Sequence, residues 1–354
     1  MAGSAEEPAG SVNSVTVVIT NYNGRECLPR TLECLFKNGQ PIAEVIVVDD
    51  GSTDDIRNWL RHHWPSVRVV GPDRNMVNPC VVRNWGLRLV RTRYAFLMDN
   101  DISIEPGCIA VLLAVMQSNS KILCLTPRLI DEDDRQRIYA DGNACHFLGL
   151  SGRPARQALV AECEIRAPFA TFGGGIMLID MQHASALKLF DEDYLRGWGN
   201  DAEFQQRGRL MGLEALHVSA AVCGHTGKEH GANRAYGQMH NRYRFMLSYY
   251  RVRTLFLLAP SFLMFEVMLT AAALTKGFSR DRIRALGSIW IERKSWLAAR
   301  RILQSRRSLP DRSLLCGGPF EAPGALPGNS LYRRFIGIVA WCFDLNWRLV
   351  RRWL

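Results

Sequence analysis

Hydrophobic residues in the first part of the chain form short unbroken runs separated by stretches with helical spacing. The runs at 15–20, 44–48 and 67–70 are rich in β-branched residues, which is typical of buried strands in a parallel sheet. Apolar residues recur every three or four positions over 26–38 and 56–63, which predicts two helices. This alternation predicts an α/β fold with a doubly wound sheet.

Polar clusters follow the predicted strands at residues 20–23, 49–54 and 99–101. In a doubly wound sheet, ligands bind outside the carboxyl ends of the strands. The third cluster contains two carboxylates, Asp99 and Asp101, that repel each other unless a positive charge lies between them. Mg²⁺ or Mn²⁺ prefers such oxygen ligands and often shares them with a phosphate. The pair therefore indicates a candidate metal site.

The middle of the chain gives weaker signals. Residues 104–116 are predicted to form a helix, and the charged segment 131–135 a solvated loop, with an acceptor-side loop as the alternative. Three glycines, Gly173–Gly174–Gly175, precede an apolar run. Glycine lets the backbone approach a ligand closely, so the segment is a candidate ligand contact, and a simple bulge is the alternative.

Three motifs in this order resemble the opening motifs of family 2 glycosyltransferases, including rhamnosyltransferase-like bacterial members. They are VVITNYN at 17–23, VVDDGSTD at 47–54 and LMDND at 97–101. The resemblance implies the GT-A fold over 14–235 with a mixed sheet. It also implies an inverting enzyme that uses a nucleotide-activated sugar.

The resemblance assigns donor-binding residues one by one. It places Thr20 and Asp50 at the nucleoside pocket, Arg83 near the diphosphate and Gly174 beneath the donor sugar, and it counts Tyr22 among the donor-binding residues. A turn or helix cap is the structural alternative for Asp50, and a solvated helix face is the alternative for Arg83.

The resemblance also implies a metal and its ligands. Asp101 becomes a direct ligand of Mn²⁺ or Mg²⁺, and Asp99 reaches the ribose, or the metal through water. His225 adds a nitrogen ligand, which Mn²⁺ accepts more readily than Mg²⁺ does. A structural histidine is the alternative.

Asp201 is the catalytic base that the resemblance implies. It would take the proton from the acceptor hydroxyl that attacks the anomeric carbon. Asn200 stands where the family usually has Glu, and Asp201 could instead cap a helix. Glu203 and Asp193 are the alternative bases.

Two further positions concern the family pattern. The family usually has Asn-x-Gly at the position of Asn75, where this chain has Met76 and Val77. The pair Asn241–Arg242 resembles a similar pair in related bacterial enzymes.

Charge is unevenly distributed over the 354 residues. Residues 276–354 hold 16 of the 44 Lys and Arg residues and 5 of the 34 Asp and Glu residues, a balance of +11 against −1 for the rest. Arg and Trp together favour an anionic membrane surface as the partner. Nucleic acid is the alternative partner of a basic tail. No nucleic-acid-binding motif supports it, so we predict that the chain does not bind nucleic acid. Five of the nine tryptophans lie in this part, namely Trp290, Trp296, Trp341, Trp347 and Trp353.

The most apolar segment is 255–274, which is long enough to span a bilayer. Pro260 and Glu266 disfavour a span, and basic residues flank both ends. The pattern favours an in-plane or re-entrant membrane helix, with a single span or a soluble core helix as alternatives. Residues 279–307 and 332–354 are predicted to be basic amphipathic helices, and 317–328 a linker.

These observations predict three parts: a disordered leader at 1–13, a catalytic domain at 14–235 and a helical basic region at 236–354. Ten cysteines without any Cys-x-x-Cys pair favour reduced thiols in the cytosol. We predict a metal-dependent glycosyltransferase on the cytoplasmic side of the membrane that acts on a cell-envelope glycan or lipid-linked acceptor. The alternatives are a nucleotidyltransferase on a similar sheet and a non-catalytic envelope scaffold.

Overall fold

The computed structural model describes residues 14–37, 39–152, 155–226, 234–318 and 330–354. The predicted leader at 1–13 lies outside the described residues, and so does the predicted linker beyond residue 318.

A mixed sheet forms the centre of the fold. Its strand order is β10-β12-β6-β11-β4-β1-β2-β3, with β5 paired to β12 and β7 paired to β6. β8 and β9 form a separate hairpin. The strands are β1 Val15–Asn21, β2 Ile42–Asp49, β3 Arg68–Val70, β4 Tyr94–Asp99, β5 Ile102–Ile104, β6 Ile122–Asp131, β7 Ile138–Ala140, β8 Ala144–His146, β9 Leu150–Gly152, β10 Phe169–Ala170, β11 Met177–Asp180 and β12 Glu214–His225.

Both directions of strand pairing occur in the sheet. β1 pairs in parallel with β2 and β4, whereas β11 runs antiparallel between β4 and β6. The mixed α/β sheet predicted from the sequence is confirmed.

Helices cover the sheet, and the elements described after residue 234 are all helices. The boundary at residue 235 stays a prediction. The helices are α1 Leu28–Lys37, α2 Ile56–His63, α3 Pro79–Leu87, α4 Cys108–Ser118, α5 Met181–Ala186, α6 Asn200–Leu210, α7 Ala235–Tyr249, α8 Val252–Leu257, α9 Ala259–Lys276, α10 Ser279–Ile291, α11 Arg293–Ser305 and α12 Ser330–Val350.

Two predictions for the middle of the chain are corrected. The helix predicted to begin at Ile104 begins at Cys108, because Ile102–Ile104 pairs with β12 as a short strand. The charged segment 131–135 is not wholly solvated. The side chain of Glu132 is only 2% exposed and pairs with Arg30 and Arg135.

The C-terminal helices also differ from the prediction. The single helix predicted over 279–307 is two helices, α10 and α11, divided at Glu292. The apolar segment 255–274 is divided between α8 and α9 at Leu258. Trp296 and Trp347 are buried in the core, so only Trp290, Trp341 and Trp353 of the five tryptophans are exposed.

Among the described helices, none is long and apolar enough to cross a bilayer. The carboxylate of Glu266 in α9 binds Arg242 Nη1 at 2.5 Å and Arg282 Nη2 at 2.6 Å, and the Tyr243 hydroxyl donates to it at 2.6 Å. Burial acts to raise the pKa of Glu266, but these partners outweigh it and hold the pKa below its usual value. The charge that disfavours a span is thus used to join α9 to α7 and α10.

Gly86 in α3 sets how closely the helix approaches the sheet. A Cβ at this position would lie 2.4 Å from Val18 Cγ1 and 2.6 Å from Val48 Cγ2. Both valines are fully buried, so neither can move aside without disturbing the core.

We predict that Gly86→Ala lowers the free energy of unfolding by about 1–3 kcal/mol, the usual range for overpacking a core. The matched control is Gly287→Ala in α10, where a Cβ would meet no atom within 4 Å. This control should be neutral or stabilising by about 0.5–1 kcal/mol, because alanine favours a helix over glycine. Urea denaturation of both variants measures the difference. Equal stabilities would show that Gly86 does not set the packing distance.

Candidate active site

The predicted site residues meet at one edge of the sheet. Thr20 lies beside Asp99 in the parallel register of β1 and β4. β11 runs antiparallel to β4, so its first residues lie beside the last residues of β4, with Met177 opposite Leu97. The glycine segment before β11 therefore arrives at the same edge as the polar ends of β1 and β4.

Asp99 is held by two residues that are predicted to bind the donor, Thr20 and Arg83. Thr20 Oγ1 donates to Asp99 Oδ1 at 2.9 Å, and Arg83 Nη2 lies 3.9 Å from the same oxygen. Arg83 is buried and its guanidinium also lies over the Phe190 ring. The alternative of a solvated helix face for Arg83 is excluded.

A chain of hydrogen bonds connects this cluster to Asp201. Arg83 Nη1 donates to Asn200 Oδ1 at 2.9 Å, and the backbone N–H of Asp201 donates to the same oxygen at 2.7 Å. The carboxylate oxygen Oδ2 of Asp201 accepts from the backbone N–H of Gly174 at 2.7 Å. Asp201 is therefore joined both to the glycine segment and, through Asn200, to Arg83.

The backbone conformation and the close neighbours of the glycine segment require residues without side chains. Gly173 and Gly174 have φ angles of 89° and 111°, a region that favours glycine. A Cβ on Gly175 would lie 2.9 Å from Arg83 Nη2 and 3.5 Å from Asp99 Oδ2. The segment thus forms a surface without side chains between the Asp99 cluster and Asp201.

Asp101 and His225 are brought together by a different pair of strands. His225 lies opposite Ile102 in the antiparallel register of β12 and β5, next to Asp101. Asp101 Oδ2 and His225 Nε2 are 4.0 Å apart. The His225 ring stacks on Tyr139 with centroids 4.3 Å apart, and its buried Nδ1 has no hydrogen-bond partner among the residues that the structure describes. The ring is therefore oriented mainly by stacking, with Nε2 directed toward the carboxylate.

This pair fits a divalent cation that takes part of its ligands from a substrate. Within the described residues, no group of three or more His, Cys, Asp or Glu side chains could hold a metal ion. Two protein ligands of the types that Mn²⁺ accepts leave positions for phosphate oxygens and water. The contacts of Asp99 are with Thr20 and Arg83, which matches the donor-binding assignment better than that of a direct ligand.

The neighbourhood of His225 contains one group that sequence reasoning missed. The backbone N–H of Glu132 donates to the carbonyl of His225 at 3.0 Å, and the Glu132 carboxylate accepts from the Ser103 hydroxyl. Gly224 leaves the space for this carboxylate, since a Cβ there would overlap it. In the sequence, only the density of charged residues in segment 131–135 could have indicated that Glu132 lies beside His225.

Asp50 and Tyr22 are two further residues that are predicted to bind the donor. Asp50 Oδ1 accepts from the backbone N–H of Met76 at 2.8 Å, and burial raises the pKa of Asp50. Tyr22 is 45% exposed. Val77 stands at the glycine position of the family's Asn-x-Gly and has a φ of 58°, so the loop keeps a glycine-like conformation without glycine.

The two alternative bases are engaged elsewhere. The Glu203 carboxylate is buried against Arg207 Nε at 2.9 Å and accepts from the Tyr249 hydroxyl. Burial raises the pKa of Glu203, although Arg207 opposes the shift. Asp193 binds Arg244 Nη2 at 2.7 Å. The N–H of Gly174 in the glycine segment donates to Asp201, whereas Glu203 and Asp193 are paired with Arg207 and Arg244.

A buried polar network behind Gly174 was also missed. Asp141 Oδ2 accepts from Arg128 Nη2 at 2.9 Å, and Asp141 Oδ1 accepts from His217 Nε2 at 2.7 Å. His217 Nδ1 lies 3.1 Å from Thr126 Oγ1, and Thr126 lies directly under Gly174. These residues come from three distant segments, so no local pattern could have grouped them.

The titration of this network follows from its contacts. Burial acts to raise the pKa of Asp141, but the donors His217 and Arg128 outweigh it and hold the pKa well below its usual range. Burial lowers the pKa of His217. A neutral His217 can then donate from Nε2 and accept at Nδ1 from the Thr126 hydroxyl.

Asn241 in α7 fixes the segment that leads to Asp201. Its side-chain amide donates to the carbonyls of Leu195 and Trp198 at 2.9 and 2.8 Å and accepts from the N–H of Leu195. Gly199, with a φ of 99°, is the N-cap residue directly before α6. Asn241, which was singled out in the sequence by resemblance, thus positions the segment that leads to the candidate base.

The chain is similar to one family model and to several known proteins. Residues 16–178 match the family model described as Glycosyl transferase family 2. The chain is 25% identical to the chondroitin synthase of Escherichia coli, over 64% of this chain and 37% of that protein. It is 25% identical to the hyaluronan synthase of Pasteurella multocida, over 63% of this chain and 26% of that protein. It is also 24% identical to the poly(ribitol-phosphate) beta-N-acetylglucosaminyltransferase TarP of Staphylococcus aureus, over 37% of this chain and 42% of that protein.

The chain thus spans less than half the length of these relatives. A solved structure, GalNAc-T7 with UDP, GalNAc and Mn²⁺, superimposes with a TM-score of 0.57 at 18% identity. The superposition covers 78% of this chain and 55% of that chain. The likeness shows a shared GT-A-like α/β fold.

We predict that Asp141→Asn lowers the free energy of unfolding at pH 7 by about 3–5 kcal/mol, because Arg128 would keep a buried charge without its partner. Since the folded-state pKa of Asp141 is lowered, this difference is complete above about pH 4 and shrinks as the pH falls further. The control is Asp134→Asn, which removes a half-exposed partner of Arg137 and should cost at most about 1 kcal/mol. Chemical denaturation at several pH values measures both, and equal losses would contradict the prediction.

Proposed function

We propose that this chain, whose residues 16–178 match the family model described as Glycosyl transferase family 2, is an inverting glycosyltransferase. It transfers a sugar from a nucleotide-diphospho-sugar to a hydroxyl group. The observation that carries the proposal is the hydrogen-bonded chain from Asp201 through Asn200 and Arg83 toward Asp99, because it joins a base to a donor site across one glycine surface.

Asp201 acts as the base in this proposal. The Gly174 N–H and the Ala202 N–H each bond one of its oxygens, at 2.7 and 3.0 Å, so the carboxylate is oriented before substrate arrives. As the acceptor oxygen attacks the anomeric carbon, Asp201 takes its proton. Attack from the side opposite the leaving diphosphate inverts the configuration at that carbon.

The leaving diphosphate carries negative charge that the site must stabilise. Arg83 can bind phosphate oxygens with the guanidinium edge that faces Asp99. Asp101 and His225 would hold Mn²⁺ or Mg²⁺, which supplies positive charge to the departing diphosphate when bound. Thr20, Tyr22, Asp50 and Asp99 bind the nucleoside part of the donor, and Gly174 leaves space for the sugar.

The acceptor belongs to the cell envelope in this proposal, as a glycan or a lipid-linked molecule. The relatives that synthesise or modify such polymers support this class. We further propose that the chain works at the cytoplasmic side of the membrane, with its helical C-terminal region at the membrane surface.

We predict that Asp201→Asn lowers the transfer rate by about 10²–10⁴-fold, the range that general base catalysis contributes. Donor binding, followed by thermal shift with a panel of nucleotide sugars, should persist because the donor contacts remain. Asp193→Asn serves as the comparison, since Asp193 is paired with Arg244, and its rate should stay near that of the unchanged protein. Full turnover by Asp201→Asn would contradict the assigned base. Release of pyrophosphate instead of a nucleoside diphosphate would indicate a nucleotidyltransferase.

We predict that Asp101→Asn and His225→Ala each weaken Mn²⁺ binding in the presence of a nucleoside diphosphate. The readout is the Mn²⁺ electron paramagnetic resonance signal during titration with UDP, GDP, CDP or dTDP, and it does not depend on turnover. His62→Ala, which changes an exposed histidine on α2, is the control. Unchanged Mn²⁺ binding in both variants would remove the metal site from the proposal.

A further inference from the structure

Two of the C-terminal helices, α9 and α12, expose apolar side chains on their solvent sides. On α9 the exposed apolar side chains are Pro260, Leu263, Val267, Ala271 and Leu274, and the exposed polar side chains are Thr270, Thr275 and Lys276. The spacing of three and four residues between the apolar ones places them on one face of the helix. Most of the exposed residues of α9 are thus apolar.

The exposed face of α12 repeats this pattern with Ile338, Trp341, Leu345 and Leu349. These four side chains, with Leu263, Val267 and Leu274 of α9, are between 40% and 70% exposed. We call these seven residues the outer face. A soluble monomer rarely exposes a contiguous apolar patch of this extent without a partner.

The two helices lie side by side and run in opposite directions. Ser261 Oγ donates to Asn346 Oδ1 at 2.6 Å, and the rings of Phe265 and Phe343 are 6.5 Å apart. Phe265 and Phe343 are buried in one hydrophobic core. Because both helices turn their buried sides toward that core, their apolar stripes are both directed away from it.

Positive charge surrounds the outer face. Residues 276–354, which include α12, carry a balance of +11. Exposed Lys276 and Arg280 follow the end of α9, and exposed Arg351 and Arg352 follow the end of α12. The Arg352 guanidinium lies 4.2 Å from the centre of the Trp353 ring, an Arg and Trp pair suited to the headgroup region of a bilayer.

We infer that the outer face inserts into the surface of an anionic lipid bilayer, with α9 and α12 lying in the membrane plane. A second copy of this chain is disfavoured as the occupant, because two faces with the same surplus of positive charge repel each other. An anionic bilayer satisfies both the apolar side chains and the charges at the helix ends. The inference rests on the proposed function for its membrane partner and adds the residues and the orientation of the contact.

Polar contacts join α9 of the outer face to the segment before Asp201. Glu266, on the flank of α9, binds Arg242 of α7, and Asn241 of α7 binds the segment before Asp201. Docking of the outer face therefore fixes the distance of Asp201 from the membrane surface, where a lipid-linked acceptor would lie.

The test is sedimentation of the full chain with vesicles of phosphatidylcholine alone or mixed equally with phosphatidylglycerol. We expect binding to the anionic vesicles, and Val267→Asp and Trp341→Asp should each weaken it by about tenfold or more, because a carboxylate is costly in the bilayer. Ile165→Asp is the matched control, since Ile165 is 72% exposed but lies in the catalytic domain, and it should bind as the unchanged protein does.

A second readout separates this inference from the proposed function. Hydrolysis of the donor sugar without vesicles should be equal in all four proteins, because none of the changed residues contacts the site. Absence of hydrolysis in the unchanged protein would count against the glycosyltransferase and leave the vesicle result independent. Equal vesicle binding by Val267→Asp and by the unchanged protein overturns the inference. The inference is also overturned if the unchanged protein does not bind the anionic vesicles. If both variants then convert a dimer to a monomer, the outer face is an interface between two copies of the chain.

Discussion

The antiparallel insertion of β11 between β4 and β6 is the constraint on which the site depends. A parallel strand in this position would begin at the opposite edge of the sheet from the ends of β1 and β4. Because β11 runs the other way, the glycine segment reaches the edge where Asp99 lies. The N–H of Gly174 can then bind Asp201, and the bare backbone of Gly175 leaves room for Arg83. The direction of this one strand therefore places the predicted donor-binding residue Asp99 close to the candidate base Asp201.

The sequence predicted those parts of the site that lie at strand ends. Buried parallel strands are continuous apolar runs, so their ends are visible where polar residues begin, as at Thr20 and Asp99. Resemblance added Asp201 and His225, which composition alone could not have selected. The structure brings Asp101 and His225 together and links Asp201 to Arg83, so most of the predicted site residues share one edge of the sheet. Their chemical roles stay predictions.

What the sequence could not predict depends on contacts between distant segments. The exposed or buried state of Trp296 and Trp347 is decided by which side of a helix meets the core, and a helix that is apolar on several sides gives no such signal. Glu132 and Asp141 are acidic residues in a region without periodicity, yet each is buried by a basic partner from elsewhere in the chain. Such pairs form only after the fold brings their segments together.

Glu266 illustrates how a single charge changes the interpretation of a segment. In an isolated helix it would oppose burial in either a bilayer or a protein core. In the folded chain, Arg242 and Arg282 both pair with its carboxylate, so the loss of one arginine would still leave the carboxylate paired with the other. The same carboxylate therefore fixes α9 against α7, whose Asn241 holds the segment before Asp201. The apolar helix is thus tied by polar contacts to the segment that leads to Asp201, and a change in the position of the helix would be transmitted to that segment.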